Sequence, residues 1–304
     1  MDVGAKGQTI FANAQFVAAL RVVAGLARLL GNRCDMERFG TLADRVAAAI
    51  NRHLWDEERG VYVDTRVDGI QSRRVSQQGN SLVIAFDIAP RERWSRILEA
   101  ILDPSRLVLT AEAPTARRGR PWLQTFDEEY NIVQIQSFWA HFLHKALRKV
   151  GMYQAMVEHI RWGWGTMLEK GATTWWEVWD PPAYTFSKCH SYAATPAYDL
   201  STDILGVYPT APGFTKFRVE PHPVDLEWAK GIFPSVAGDI PVSWKWEDDG
   251  FELTVEVPSG TEAEIVLPDR RGVLAQAILL NGISLPRGPI ILAPGKHSVA
   301  ARYR

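Results

Sequence analysis

The run VYPTAPGFTKFRVEPHP, residues 207–223, marks the point where the spacing of apolar residues changes period. Downstream of it, Ile240, Val242, Trp244 and Trp246 alternate with Pro241, Ser243, Lys245 and Glu247, and beyond Asp249-Gly250 the residues Phe251, Leu253, Val255 and Val257 alternate with polar ones. A period of two belongs to a strand with one buried face, so this spacing predicts a hairpin turned at Asp249-Gly250. The runs AEIVLP, VLAQAILL before Asn281-Gly282, and KHSVAARYR repeat the pattern to the end of the chain. They predict an antiparallel β-sandwich over about residues 222 to 304.

Upstream the period is helical. IFANAQFVAALRVVAGLARLL carries an apolar stripe ended by Gly31-Asn32, and Leu42, Val46, Ile50 and Leu54 recur four apart in the next segment. These read as one helical hairpin. WDEERGVYVD reads as a short β excursion around Gly60, followed by a second helical pair, SQQGNSLVIAFDIA and RERWSRILEAIL, divided at Pro90. A loop over residues 104–127 leads into a third pair, YNIVQIQSFWAHFLHKALRKVG and MYQAMVEHIRWGWGTML. Consecutive hairpins joined by long loops predict an (α/α) toroid with its loops gathered at one rim. The chain therefore divides into a helical part, residues 1–208, that carries the site, and a β-sandwich, residues 209–304.

Composition narrows the function classes. The 304 residues have 46% hydrophobic content and a net charge of -1, and apart from Arg117, Arg118 and Arg120 the cations are scattered. Such a chain has no field to recruit nucleic acid or an anionic membrane. Cys34 and Cys189 are too few for a disulfide framework and lack metal-ligand spacing, so no cofactor or metal is expected. The N-terminal segment lacks a basic region followed by an apolar run, and no span near twenty apolar residues is evident, so a cytoplasmic location without membrane association is the expectation.

Tryptophan is the abnormal component, with 12 in all and Trp162, Trp164, Trp175, Trp176 and Trp179 close together. Large aromatics can simply fill a core between helices. They can also form a carbohydrate wall, because sugar C–H faces stack on indole beside a few carboxylates that bind hydroxyls. GATTWWEVWD, residues 171–180, sets Glu177 among three of these tryptophans. A helix cap or an ion pair with Lys170 would account for that carboxylate structurally, and a shielded general base would account for it chemically.

KGATTWWEVWD, the downstream Cys189-His190 before a segment ending in LGV, the PGFTKFR connector and LEWAKG together resemble the signature region of bacterial α-L-rhamnosidases of glycoside hydrolase family 78. The resemblance implies a six-hairpin (α/α) barrel followed by a β-sandwich, and an inverting hydrolase acting on a rhamnose-containing oligosaccharide or glycoside. Residue by residue, it implies Glu177 as the general base and His190 as a sugar-binding imidazole, with Trp175, Trp176 and Trp179 lining the sugar site. Many relatives carry Asn-His where this chain has Cys189-His190.

Inversion also needs a general acid, roughly 6.5–9.5 Å from the base. The family's acidic segment from an early hairpin is not recognisable here. Glu112 and the Asp127-Glu128-Glu129 run are candidate substitutes, although an acidic helix start explains the latter as well. About seven helices are legible where six hairpins need about twelve. The toroid is therefore expected to be incomplete, which brings self-association or a missing N-terminal half into view. Besides rhamnoside hydrolysis, two alternatives stand: a catalytically inactive sugar-binding fragment, and an (α/α)-barrel hydrolase of another sugar.

Overall fold

A computed structural model describes residues 7–109, 127–179, 186–286 and 288–303. The chain forms two compact units, Met1–Gly151 with Arg161–Ala193, and Met152–Ile160 with Ala194–Arg304.

In the first unit, helices α1 (Ile10–Leu29) and α2 (Arg33–His53) form the expected hairpin. Thr9 caps α1 through the Ala12 N–H, and Asn32 caps α2 through the Asp35 N–H, at the junction where Gly31 takes a φ of 73°. By length and composition α1 could cross a membrane, which the sequence reading did not anticipate. Ile10, Ala14, Val17, Leu20 and Ala27 nevertheless bury one stripe of it, as in a core helix, while Phe16, Val23, Leu26 and Leu30 stand exposed on another.

The β excursion around Gly60 is present as strands β2 (Trp55–Asp56) and β3 (Val61–Tyr62), with Gly60 at a φ of 68°. Two short strands, β4 (Thr65–Val67) and β5 (Ile70–Gln71), follow, and β4 also pairs with β1 (Gln8–Thr9). Helices α3 (Gln77–Ala85) and α4 (Trp94–Leu102) come next, on either side of Pro90.

Helix α3 is buried along its whole length, polar residues included. A buried amide must find partners. Asn80 accepts from the Tyr62 N–H and donates to the Tyr62 carbonyl, while Gln77 donates to the Ile101 carbonyl and accepts from the Ile135 N–H. Through Gln77, α3 fixes the segment that supports the candidate site.

The expected helix over residues 130–151 is shorter. Strand β7 (Ile132–Val133) runs parallel to β6 (Leu107–Val108), a 3-10 turn covers Ser137–Trp139, and α5 (Ala140–Lys149) follows. The Val133 N–H bonds the Val75 carbonyl and the Ile135 N–H is taken by Gln77, so side pairing outcompetes the helix there. No helix begins at Asp127 to Glu129 either. Asp127 forms a local turn, its carboxylate accepting the Glu129 N–H. Helix α6 (Tyr153–Glu169) is the expected partner segment.

In the second unit, α7 (Thr195–Asp199) and a π-helical turn, Leu200–Ile204, precede the strands. A six-stranded antiparallel sheet contains β10 (Trp228–Ser235), β11 (Gly238–Glu247), β12 (Gly250–Val257), β17 (Gly295–Arg302), β14 (Ala277–Leu280) and β15 (Ile283–Leu285), in that spatial order. A four-stranded sheet orders β16 (Ile290–Leu292), β13 (Glu262–Ile265), β9 (Lys216–Val219) and β8 (Val207–Pro209).

Ile240, Val242, Trp244, Phe251, Leu253 and Val255 are buried as their alternation predicts. Two details differ from expectation. The register pairs Glu247 with Gly250, which moves the turn to Asp248-Asp249; within the strand, position 250 needs a glycine because a Cβ there would lie 2.5 Å from the Ala301 carbonyl oxygen. The β9–β13 pair is parallel, since the chain visits the other sheet through β10 to β12 before returning.

Candidate active site

Glu177 and His190 come together on two facing backbone segments of the first unit. The Glu177 N–H donates to the Ser187 carbonyl and the His190 N–H to the Trp175 carbonyl, each at 2.9 Å. The Thr174 hydroxyl adds a bond to the Lys188 carbonyl. The Ser187 N–H, in turn, donates to Oε2 of Glu177 at 3.2 Å. One carboxylate oxygen is thereby fixed by a backbone amide, and Oε1 has no partner among the described residues.

Nδ1 of His190 lies 4.0 Å from Oε2 of Glu177, and the two side chains are 29% and 31% exposed respectively. That separation is too long for a direct hydrogen bond and leaves both groups able to bind a hydroxyl or a water. The ring of Phe138 meets the imidazole edge-on at 5.9 Å.

The tryptophans divide by burial. Trp175 is half-buried. Trp176 and Trp179 are only 6% and 3% exposed. The Trp176 carbonyl accepts the Ser137 hydroxyl at 2.7 Å, and the ammonium of Lys188 sits 4.8 Å from the centre of the Trp176 ring. The Trp179 indole N–H donates to the Ile135 carbonyl at 2.6 Å, and its ring packs edge-to-face on Trp162 and Trp164 at 5.2 and 4.9 Å. Gly163 is required beneath it, because a Cβ at that position would come within 2.5 Å of the ring. Trp179 is thus packed against Trp162, Trp164 and Gly163, whereas Trp175 is only half-buried.

Among the other expected residues, Glu112 lies outside the described residues. Glu129 pairs with Arg73 and Glu128 with Arg74, while Asp127 holds its own turn. The structure describes no contact between these acids and Glu177. Among the described residues no group of three or more His, Cys, Asp or Glu is arranged to hold a metal. Ser137, Phe138, Ser187 and Lys188 carried no signal in the sequence reading; they become visible only once residues 174–177 and 187–190 face each other.

A helical unit thus presents a half-buried carboxylate beside an imidazole, in a chain that continues into a β unit. Residues 3–181 match the mannosylglycerate hydrolase MGH1-like glycoside hydrolase domain, and residues 206–277 match the bacterial alpha-L-rhamnosidase C-terminal domain. An alpha-L-rhamnosidase of Alteromonas sp. (strain LOR) is 26% identical over 276 residues, covering 88% of this chain and 27% of that protein. The solved family 78 rhamnosidase of Bacillus sp. GL1 is 31% identical with a TM-score of 0.69, over 83% of this chain and 25% of its own. The Streptomyces avermitilis alpha-L-rhamnosidase, solved with L-rhamnose, shares the fold at 19% identity and a TM-score of 0.71, over 96% of this chain and 26% of its own. The chain belongs to the MGH1-like glycoside hydrolase domain family, and α-L-rhamnosidases, one of them of family 78, are among the proteins it is similar to. It spans about a quarter of the length of these relatives.

Proposed function

We propose that this chain carries the general-base half of an inverting α-L-rhamnosidase site, built on part of a six-hairpin toroid. The carrying observation is the Glu177 carboxylate, with Oε2 held by the Ser187 N–H and His190 4.0 Å away. In this reading Oε1 accepts a proton from a water as that water attacks the anomeric carbon. The leaving group departs from the opposite face, and the configuration inverts. His190 orients the sugar by donating to or accepting from its hydroxyls. Trp175 supplies a stacking edge, and the Ser187 N–H keeps the carboxylate from rotating away.

The ion pairs of Glu128 and Glu129 with arginines favour a second reading, in which the chain binds a rhamnoside without cleaving natural ones, because these acids among the described residues are already engaged. Hydrolysis of another sugar on the same scaffold is the third.

An aryl α-L-rhamnoside separates these readings, because its leaving group needs little protonation whereas a natural glycosyl rhamnoside needs the acid. The chain is expected to cleave the aryl substrate slowly with inversion, read by NMR of the first-formed sugar. Glu177→Gln is expected to remove roughly two or more decades of that rate. Cleavage that survives this substitution would refute the assignment of the base. Efficient cleavage of both substrates would place an acid in the chain.

A further inference from the structure

A groove of about 280 Å³ runs along α2 in the first unit and shares no residue with the candidate active site. Leu42, Val46, Ala49, Ile50 and Leu54 give it an apolar floor, while Gln8 and Asn13 line it from β1 and α1. Its positions on α2 recur at intervals of three and four, so they share one face of that helix. Arg45 and His53 belong to the same face, eight positions and about 12 Å of rise apart. Among the described residues no acidic side chain lines the groove, and the side chains of Arg45 and His53 make neither an ion pair nor a hydrogen bond. Its two amides are each half engaged. Gln8 accepts from Arg66 through Oε1, which leaves its Nε2 donors, and Asn13 donates to the Thr9 carbonyl at 2.7 Å, which leaves its Oδ1. An apolar floor thus lies between a guanidinium at one end and an imidazole at the other.

We infer that this groove binds a small, elongated carboxylic acid with a hydroxyl at its far end. The carboxylate pairs with Arg45, whose planar fork of donors matches it and whose charge no acid of the groove neutralises. The apolar body lies on Val46, Ala49 and Ile50. The hydroxyl meets His53, which can donate or accept, and the free donors of Gln8. An apolar lining with a few polar groups is the usual make-up of a small-molecule site, and the volume, near the lower end for such sites, suits a ligand of a single ring or short chain. Burial of the body supplies the affinity, and the ion pair supplies the preference for an acid over its amide.

The test titrates the whole chain at low salt with para-hydroxycinnamate and with its carboxamide, and reads binding by saturation-transfer NMR. The acid is expected to bind about two- to fivefold more tightly than the amide, the range of an exposed ion pair. Arg45→Gln should abolish that preference and Arg45→Lys should keep it. Ala49→Trp, at an exposed position of α2, should fill the groove and remove binding of both compounds while circular dichroism shows the helices intact. Glu177→Gln should bind both as the parent does. No saturable binding, equal affinities in the parent chain, a preference that survives Arg45→Gln or binding that survives Ala49→Trp would overturn the inference. Loss of binding in Glu177→Gln would move the acid to the candidate active site and overturn it too.

Discussion

Replacing Asp64 by Asn should change how stability depends on pH. Asp64 is fully buried; Oδ1 accepts the Ser76 hydroxyl at 2.6 Å and Oδ2 has no hydrogen-bond partner. Burial pushes its carboxyl up from 3.8 to about 7, against the hydrogen bonds of Ser76 and the charges of Arg74 and Arg59. Below 3.8 both folded and unfolded chains hold the proton; between 3.8 and about 7 the folded chain retains a proton that the unfolded chain has lost. Stability therefore falls as pH rises through that window, by about 1.4 kcal/mol per unit and roughly 4 kcal/mol in all, and is level above it. Asn keeps the shape without the titration. The parent-minus-variant difference, from urea unfolding at constant ionic strength between pH 4 and 8, should follow this slope. Parallel curves for the two chains would refute the assignment of a buried, protonated Asp64.

Gly163→Ala forces a methyl into the Trp179 ring and should cost about 1–3 kcal/mol of unfolding free energy, with a lower aryl-rhamnoside rate because Trp179 anchors the segment that carries Glu177 to the Ile135 carbonyl. Ser137→Ala removes the bond to the Trp176 carbonyl and should lower stability by about 1 kcal/mol, read by the same urea titration. L-rhamnose at high millimolar concentration should quench tryptophan fluorescence through Trp175, and Trp175→Ala should lose that response; an unchanged response would remove Trp175 from the site. The exposed stripe Phe16, Val23, Leu26 and Leu30 should drive association, so light scattering should show oligomers that Leu26→Glu with Leu30→Glu disperses. A monomeric parent that binds no hydrophobic dye would exclude that role for α1.

Long periodic segments were legible because the same instruction is repeated, every three or four residues in α1 and α2 and every second residue in β11 and β12. Ile132-Val133 was not. Its apolar run suits helix or strand equally, and the choice falls to Val75 and Gln77, more than fifty residues earlier. The pairing of residues 174–177 with 187–190 escaped notice for the same reason, since nothing local says that the chain returns. The motif singled out Glu177 and His190, but it could not tell the tryptophans apart: Trp175 and Trp179 are chemically alike, and only the carbonyl of Ile135 and the gap left by Gly163 bury one and leave the other half-exposed. The parallel β9–β13 pair joins residues 46 apart in the chain, a distance no periodicity reports.

That parallel pair imposes an order on synthesis. A ribosome delivers β8 and β9 first, and they form a hairpin from residues already in hand. The far side of β9, however, waits for Glu262–Ile265, which emerge only after β10, β11 and β12 have been made for a different sheet. Throughout that interval the nascent chain offers an open strand edge bearing Phe217 and Val219, both of which end up buried. A pause in translation before residue 262 would prolong the exposure, and a chaperone that covers strand edges would find its client in that window.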